Sequence, residues 1–253
     1  TLEALTYLAA HTNKIALGTS VIDMLFHNPV VLARRFATLN ILSEGGTIAG
    51  FGIGWLKDEY QGSNIPLSDR GKRADEYIQL IKKIWTDDIV KFNGRYYSIP
   101  ASKIGPKPLQ KPHPSIYMGA SSPGAFRRMV KYANGWIGLI YGTLENFEDT
   151  INTIMDMANQ EKEKENEEAR KNRSDFKVIL LTYPKVIEER EQNSSKKEYL
   201  RAPMTGTMDE IGSDLKRIKD MRVEHVIFGY NFGLIGRDVD KMIETIKELS
   251  KFC

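Results

Sequence analysis

The chain alternates two hydrophobic periods. Short, nearly continuous apolar runs, as in strands buried on both faces, are separated by longer stretches whose apolar residues recur every three or four positions, as in helices with one buried face. The first segment, TLEALTYLAAHTNK, puts Leu2, Leu5, Leu8 and Ala9 on one helical face. A strand over Ile15–Ile22 follows, then a helix from Pro29 to Leu42 with the proline in its first turn, then a strand over Thr47–Gly54. Arg70–Trp85 reads as a strongly amphipathic helix with Ile78, Ile81, Ile84 and Trp85 inward.

Residues 88–112 interrupt this rhythm. VKFNGRYYSI reads as a hairpin around Asn93-Gly94, followed by a proline-rich loop. The alternation resumes with a strand at 115–119, a helix from Pro123 to about Tyr132, a strand over Trp136–Ile140 and a long helix from about Glu145. That helix runs into EKEKENEEARKNR, a charge run read as its solvated end. A strand over Lys177–Tyr183, a mobile polar loop near 190–200, a helix over Met208–Met221, a strand over His225–Tyr230 and a helix over Val239–Phe252 complete the pattern. Six strands, each followed by a helix, predict an α/β fold with a parallel sheet, either doubly wound or closed as a (β/α)8 barrel, with residues 88–112 inserted at one end. Six strands are two too few to close such a barrel, whose functional groups sit at the carboxyl ends of the strands.

Two segments carry the candidate chemistry. Ser115–Met118 ends in Gly119 and Ala120, which admit close approach to the backbone, and Ser121 or Ser122 can cap a helix opening on Pro123. Unpaired amides at such a helix start attract an anion, and Arg127 or Arg128 one turn later could reach a phosphate or sit in solvent. An ordinary strand–helix turn is the competing reading. Gly50, Gly52 and Gly54 have the spacing G-x-G-x-G, which departs from the dinucleotide fingerprint G-x-G-x-x-G.

Composition narrows the classes. With 253 residues, 41% hydrophobic and 27% charged, the chain is long enough for one substantial core. A net charge of +3, with no basic cluster interleaved with aromatics, argues against nucleic acid and acidic membranes as partners. The single cysteine, Cys253, leaves no internal disulfide and no cysteine-based metal site, and no HxxxH or carboxylate cluster suggests a metal. No apolar stretch is long enough to span a membrane and no export pattern opens the chain, so the expected location is the cytoplasm. The chain starts at Thr1 in what is already a core-packing helix, and a segment upstream is expected.

Several blocks, in order, resemble the bacterial luciferase-like superfamily of (β/α)8 barrels that use FMN or the deazaflavin F420: LGTSVIDMLFHNP at 17–29, FATLNILSEGG at 36–46, GFGIGWLKDEY at 50–60, RGKRADEYIQLIKKIWT at 70–86, KPLQKPHPSIYMGASSPGAFRR at 107–128 and MTGTMDEIGSDLKRIKDMRVEHVIF at 204–228. The runs through RRFATL, LSEGG and GFGIGW look most like the F420-dependent subset. The resemblance implies one barrel domain over residues 1–253 that lacks its first β-α-β segment. It also implies a non-prolyl cis peptide at Ser20-Val21 that backs the cofactor ring, a cofactor-lining turn at Gly52, Gly54 and Trp55, and phosphate-binding amides over Gly119, Ala120, Ser121 and Ser122. Glu59 matches an acidic family position, either a cofactor contact or a helix-start charge. Gly46 stands where a basic residue is usual, and His27-Asn28-Pro29 replaces Arg-His-Pro or Arg-Asn-Pro.

The implied function is F420-dependent hydride transfer to or from a small organic substrate, with an FMN-dependent monooxygenase as the alternative and a non-catalytic flavin-binding or scaffold paralogue as the reading from another class. The family's catalytic side chain from its second strand has no counterpart here, so no catalytic acid or base is assigned. Asp23, His27, Tyr183, Tyr230 and Asn231 are candidates to face substrate; His27 also reads as a loop or cap residue, His225 as structural, and His11 and His113 as turn residues. A homodimer through the opening helix and residues 29–42 is also implied.

Overall fold

The computed structural model describes residues 2–164, 175–187, 201–230 and 238–252. The polar loop expected near 190–200 and the charge run beyond Lys164 lie outside the described residues. The chain divides into two compact units, Thr1–Trp136 and Ile137–Cys253.

The first unit is built on parallel strands. β1 (Leu17–Gly18) and β2 (Ile22–Asp23) both pair with β3 (Thr47–Gly52), which pairs on its other side with β6 (Ser115–Gly119). Helix α1 (Leu2–Ala9) packs on α2 (Pro29–Leu42), and α2 packs on α4 (Arg70–Thr86), while the short α3 (Lys57–Gly62) lies between β3 and α4 in the chain. α2 starts where the Asn28 side chain accepts the amides of Val30 (3.0 Å) and Val31 (3.2 Å) with Pro29 beside it, which satisfies donors that the helix itself leaves open. Phe36 meets Phe51 and Trp85 edge-on at 5.5 and 6.3 Å, and the Trp85 indole donates to Ala33 O at 2.9 Å. Ile78, Ile81, Ile84 and Trp85 are all buried, as the amphipathic pattern predicts, each contributing about 1.5–3 kcal/mol of burial.

The insertion forms an antiparallel hairpin of β4 (Val90–Asn93) and β5 (Ser98–Ser102). Its turn spans residues 94–97, longer than a tight Asn-Gly turn, because the Glu76 carboxylate on α4 accepts the amides of Arg95 (2.8 Å), Tyr96 (2.8 Å) and Tyr97 (3.3 Å). Lys107 then donates to Ile84 O (2.6 Å) and Asp87 O (2.5 Å), satisfying carbonyls at the end of α4. The fully buried Asn40 accepts the amides of Leu109 (2.8 Å) and Gln110 (3.1 Å). Helix α5 (Pro123–Tyr132) follows β6, and β7 (Gly135–Gly138) is shorter than the strand expected to Ile140.

In the second unit β8 (Lys177–Thr182) pairs in parallel with β11 (Val223–Phe228), and β9 (Lys185–Val186) pairs with β10 (Thr205–Gly206). Helices α6 (Leu144–Glu163) and α7 (Met208–Asp220) both open on a threonine capping box, and Arg201 grips the buried Asp214 of α7 with two nitrogens at 2.8 and 2.6 Å. α8 (Val239–Leu249) buries Leu249 but leaves Val239, Ile243 and Ile246 exposed.

Three expectations are corrected. Ile15–Ile22 is two short strands with an irregular step between them. In α1 only Leu2 and Ala9 are buried; Leu5 is half-buried and Leu8 is 45% exposed, because the helix rests on α2 along one narrow line. His225 is no packing residue: it stands exposed beside the Glu224 carboxylate at 3.8 Å.

His113 is largely buried against the Trp85 ring at 5.9 Å, and burial holds its imidazole below the ordinary value of about 6.5. The folded state resists this proton while the unfolded chain takes it up near pH 6.5, so stability is complete above that pH and falls as pH drops through it. Urea unfolding at pH 7.5, 6.5 and 5.5 is expected to show this loss, and His113→Gln to flatten it.

Candidate functional site

The site of the first unit grows from a mismatch in strand register. Gly18 pairs with Ile48 and Ile22 with Phe51, so four steps on one strand face three on the other. The extra residue is absorbed at Thr19-Ser20-Val21, and the Ser20-Val21 peptide is cis, at the position the resemblance implied. Thr19, only 4% exposed, spans the step: its hydroxyl donates to Gly50 O at 2.7 Å and accepts the Gly50 amide at 3.0 Å. A side chain thereby replaces the ladder bonds the bulge removes.

Val21 is thrown outward, 38% exposed, against the ends of two strands. A Cβ on Gly52 would stand 2.6 Å from a Val21 methyl and 2.6 Å from an Asp23 carboxylate oxygen, so only glycine fits; a Cβ on Gly119 would make ordinary contact with Val21 at 3.6 Å. The pairings Asp23 with Gly52 and Phe51 with Met118 bring three strand exits side by side at one end of the sheet.

Beyond β3 the turn is held from below. Gly54 has φ +72°, and a side chain there would meet the Phe26 ring at 3.3 Å. The Tyr60 hydroxyl donates to Ile53 O, and its ring meets Phe26 edge-on at 5.0 Å. Trp55 follows, 80% exposed. Beyond β6, the Trp136 indole donates to Ala120 O at 3.0 Å, and Ser122 accepts the Ala125 amide at 3.4 Å to start α5 with Pro123 in its first turn. Ser121, Ser122, Pro123 and Gly124 are exposed, and nothing lies within 4 Å of where a Gly124 Cβ would stand.

Arg128 does not reach this helix start. Its guanidinium is buried against α4, with Nε 2.6 Å from Asp75, while Arg127 is exposed. Glu59 sits exposed in the first turn of α3, where its charge opposes that of Asp23. Burial, then Glu59, pushes the Asp23 carboxyl above its ordinary value, against the Gly54 amide that it accepts and the nearby His27. Burial holds the His27 imidazole below its ordinary value, and His27 O accepts the Tyr77 hydroxyl at 3.1 Å.

In the second unit Tyr183 and Tyr230 follow β8 and β11, whose parallel pairing continues in a Gly229 amide bond to Thr182 O at 2.8 Å. The Tyr230 hydroxyl is buried without a partner among the described residues, and burial raises its phenol. Asn231 lies outside the described residues. Sequence reasoning missed Thr19, Tyr60 and Trp136, which position the turns; a hydroxyl inside an apolar run and aromatics flanking glycine turns were the available signals.

A phosphorylated, flat-ringed ligand fits this ground: an outward apolar side chain on a bulge, glycine backbones beside it, and an open helix start three residues past Gly119. The chain belongs to the luciferase-like monooxygenase family, whose model matches residues 1–250. It is 37% identical over 136 residues, 53% of this chain and 40% of that protein, to an F420-dependent glucose-6-phosphate dehydrogenase of Kineococcus radiotolerans. It is 31% identical over 130 residues, 50% of this chain and 36% of that protein, to an FMNH(2)-dependent dimethylsulfone monooxygenase of Pseudomonas putida. The chain spans less than half the length of these curated relatives. Its fold is that of the monooxygenase RslO1 from Streptomyces bottropensis (TM-score 0.77, 18% identity, 99% of this chain and 81% of that one) and of the coenzyme F420-dependent tetrahydromethanopterin reductase from Methanopyrus kandleri (TM-score 0.72, 18% identity, 97% and 85%).

Thr19→Val leaves the buried Gly50 amide and carbonyl without their partner, and equilibrium unfolding is expected to show a loss of about 1–3 kcal/mol. Asp23→Asn is expected to raise stability at pH 7, because the native carboxyl must ionise against burial and Glu59. Since its folded-state value is raised, that gain should shrink as pH falls and vanish near pH 4, which paired denaturation curves across that range would read.

Proposed function

We propose that this chain forms the cofactor-binding ground of an F420-dependent oxidoreductase acting on a small organic molecule. The observation that carries the reading is Val21, outward on the bulge and seated against Gly52 with Gly119 alongside. Val21 with Gly52, Gly54 and Trp55 would hold the ring, the amides at Gly119–Ser122 would hold the phosphate, and Glu59 would lie at the margin. When bound, a deazaflavin supplies two-electron hydride chemistry. The chain's own part is to fix the ring against Val21, hold the turns with Thr19, Tyr60 and Trp136, and keep the half-buried Asp23 carboxyl beside the Gly52–Gly54 turn. Tyr183, Tyr230 and Asn231 remain candidates to face substrate.

FMN is the second reading, favoured by the similarity to an FMNH(2)-dependent monooxygenase. The F420 reading draws on the 37% identity to an F420-dependent dehydrogenase and on the GFGIGW turn. A homodimer through α1 and α2 is supported by the exposed Tyr7, Leu8, Val31 and Leu42, and a cytoplasmic location and a single barrel domain with an insertion at 88–112 belong to the same reading.

Titration with F420 and separately with FMN, read by fluorescence, tests the proposal. Saturable binding of F420, weakened at least tenfold by Val21→Asp in a protein of unchanged thermal stability, is expected. Binding of FMN alone would shift the reading to a monooxygenase, and binding of neither would overturn it.

A further inference from the structure

A second cavity lies behind the cofactor-type turn, between the hairpin and the helices it caps. Its volume is about 480 Å³, within the range of small-ligand pockets, and it opens to solvent. Leu25, Pro29, Ile65 and Ile99 give it an apolar side; His27, Arg73, Tyr96 and Tyr97 give it a polar one.

The polar side is rich in donors. Arg73 is fixed by its Nε contact to Asp69 at 3.0 Å and by stacking on the Tyr96 ring at 4.6 Å, yet its side chain remains 23% exposed. A second guanidinium, that of Arg95, lies 5.4 Å from the same ring. Asn28 spends its side-chain oxygen on the amides of Val30 and Val31, and so does not serve as an acceptor for the cavity. The Tyr96 hydroxyl is buried and has no hydrogen-bond partner among the described residues. A buried hydroxyl without an acceptor costs about 1–3 kcal/mol, so an acceptor from a ligand or an ordered water would satisfy this one.

The hydroxyl is held in place by its neighbours. The Tyr96 amide is tied to Glu76 at 2.8 Å, which fixes its backbone, and the ring lies under Arg73, a contact the phenol would lose on swinging out. The cavity is distinct from the cofactor ground but shares a wall with it: Phe26 lines the cavity and also lies under Gly54.

We infer that this cavity is a binding site for a small organic carboxylate, its oxygens taken by the Arg73 guanidinium and the Tyr96 hydroxyl and its apolar body lying against Leu25, Ile65 and Ile99. A planar carboxylate matches the guanidinium fork, and an acceptor is what the phenol lacks. His27 adds a further ring nitrogen at the same wall. The inference does not depend on which cofactor the neighbouring site takes.

Benzoate is the probe, with neutral benzamide of the same shape as control, both titrated into the full chain and followed by ligand-observed NMR and thermal shift. Saturable benzoate binding is expected, at least tenfold tighter than benzamide. Tyr96→Phe, which removes one oxygen, should weaken benzoate about tenfold while raising the melting temperature of the free protein, because it deletes an unpaired buried group. Arg73→Gln should abolish the preference for benzoate over benzamide. No saturable binding of benzoate, equal binding of the two probes, or a Tyr96→Phe protein that binds benzoate normally would overturn the inference. None of these readouts involves F420 or FMN, so the result stands apart from the cofactor titration.

Discussion

The two hydrogen bonds between the Thr19 hydroxyl and Gly50 are the constraint on which the first unit's site depends. Parallel strands must satisfy every buried backbone group, and a bulge removes ladder bonds where it inserts a residue. Thr19 is short enough to turn back onto β3 and offers both a donor and an acceptor on one atom, so one side chain bridges the gap. With that gap closed, β2 re-engages β3 at Ile22 and Asp23, and Val21 is left facing outward. A valine in place of Thr19 would preserve shape and lose both bonds.

From Val21 the packing spreads in a short chain of contacts. Gly52 has no side chain because Val21 and Asp23 occupy the space one would need, and Asp23 accepts the Gly54 amide, which fixes the next turn. Phe26 lies under that turn and Tyr60 under Phe26. Each contact is small, but interiors at this density respond to a change in any one of them, so the bulge, the glycine turn and the Met24–Phe26 turn behave as one mechanical piece. Phe26 also lines the hairpin cavity, so the two regions share one side chain.

Much of the fold was legible along the chain. Pro29–Leu42 and Arg70–Thr86 emerge where spacing placed them, because a proline after an asparagine cap and a regular three-to-four apolar repeat are local signals. The turns at Gly52–Trp55 and Gly119–Ser122 were legible for the same reason: glycine, serine and proline act on their own backbone. The failures share a cause too. Ile15–Ile22 reads as one strand because composition carries no information on register, and the bulge exists only relative to β3. Leu8 looks like a core residue until α2 is present to show which line of α1 it covers. Arg128 reads as either a phosphate ligand or a solvated charge until Asp75, far off in sequence, claims it.

The sequence by itself determined the order of most strands and helices, which turns need glycine, and, through a row of ordered blocks, the family. These depend on interactions among near neighbours, whose distances the covalent chain dictates. Only the tertiary structure decided that Thr19 bridges to Gly50, that Val21 faces outward between two strand ends, and that the Tyr96 hydroxyl is buried beside a guanidinium with no acceptor among the described residues. Those facts depend on which segments meet across tens of residues, and on whether a polar group finds a partner after they do.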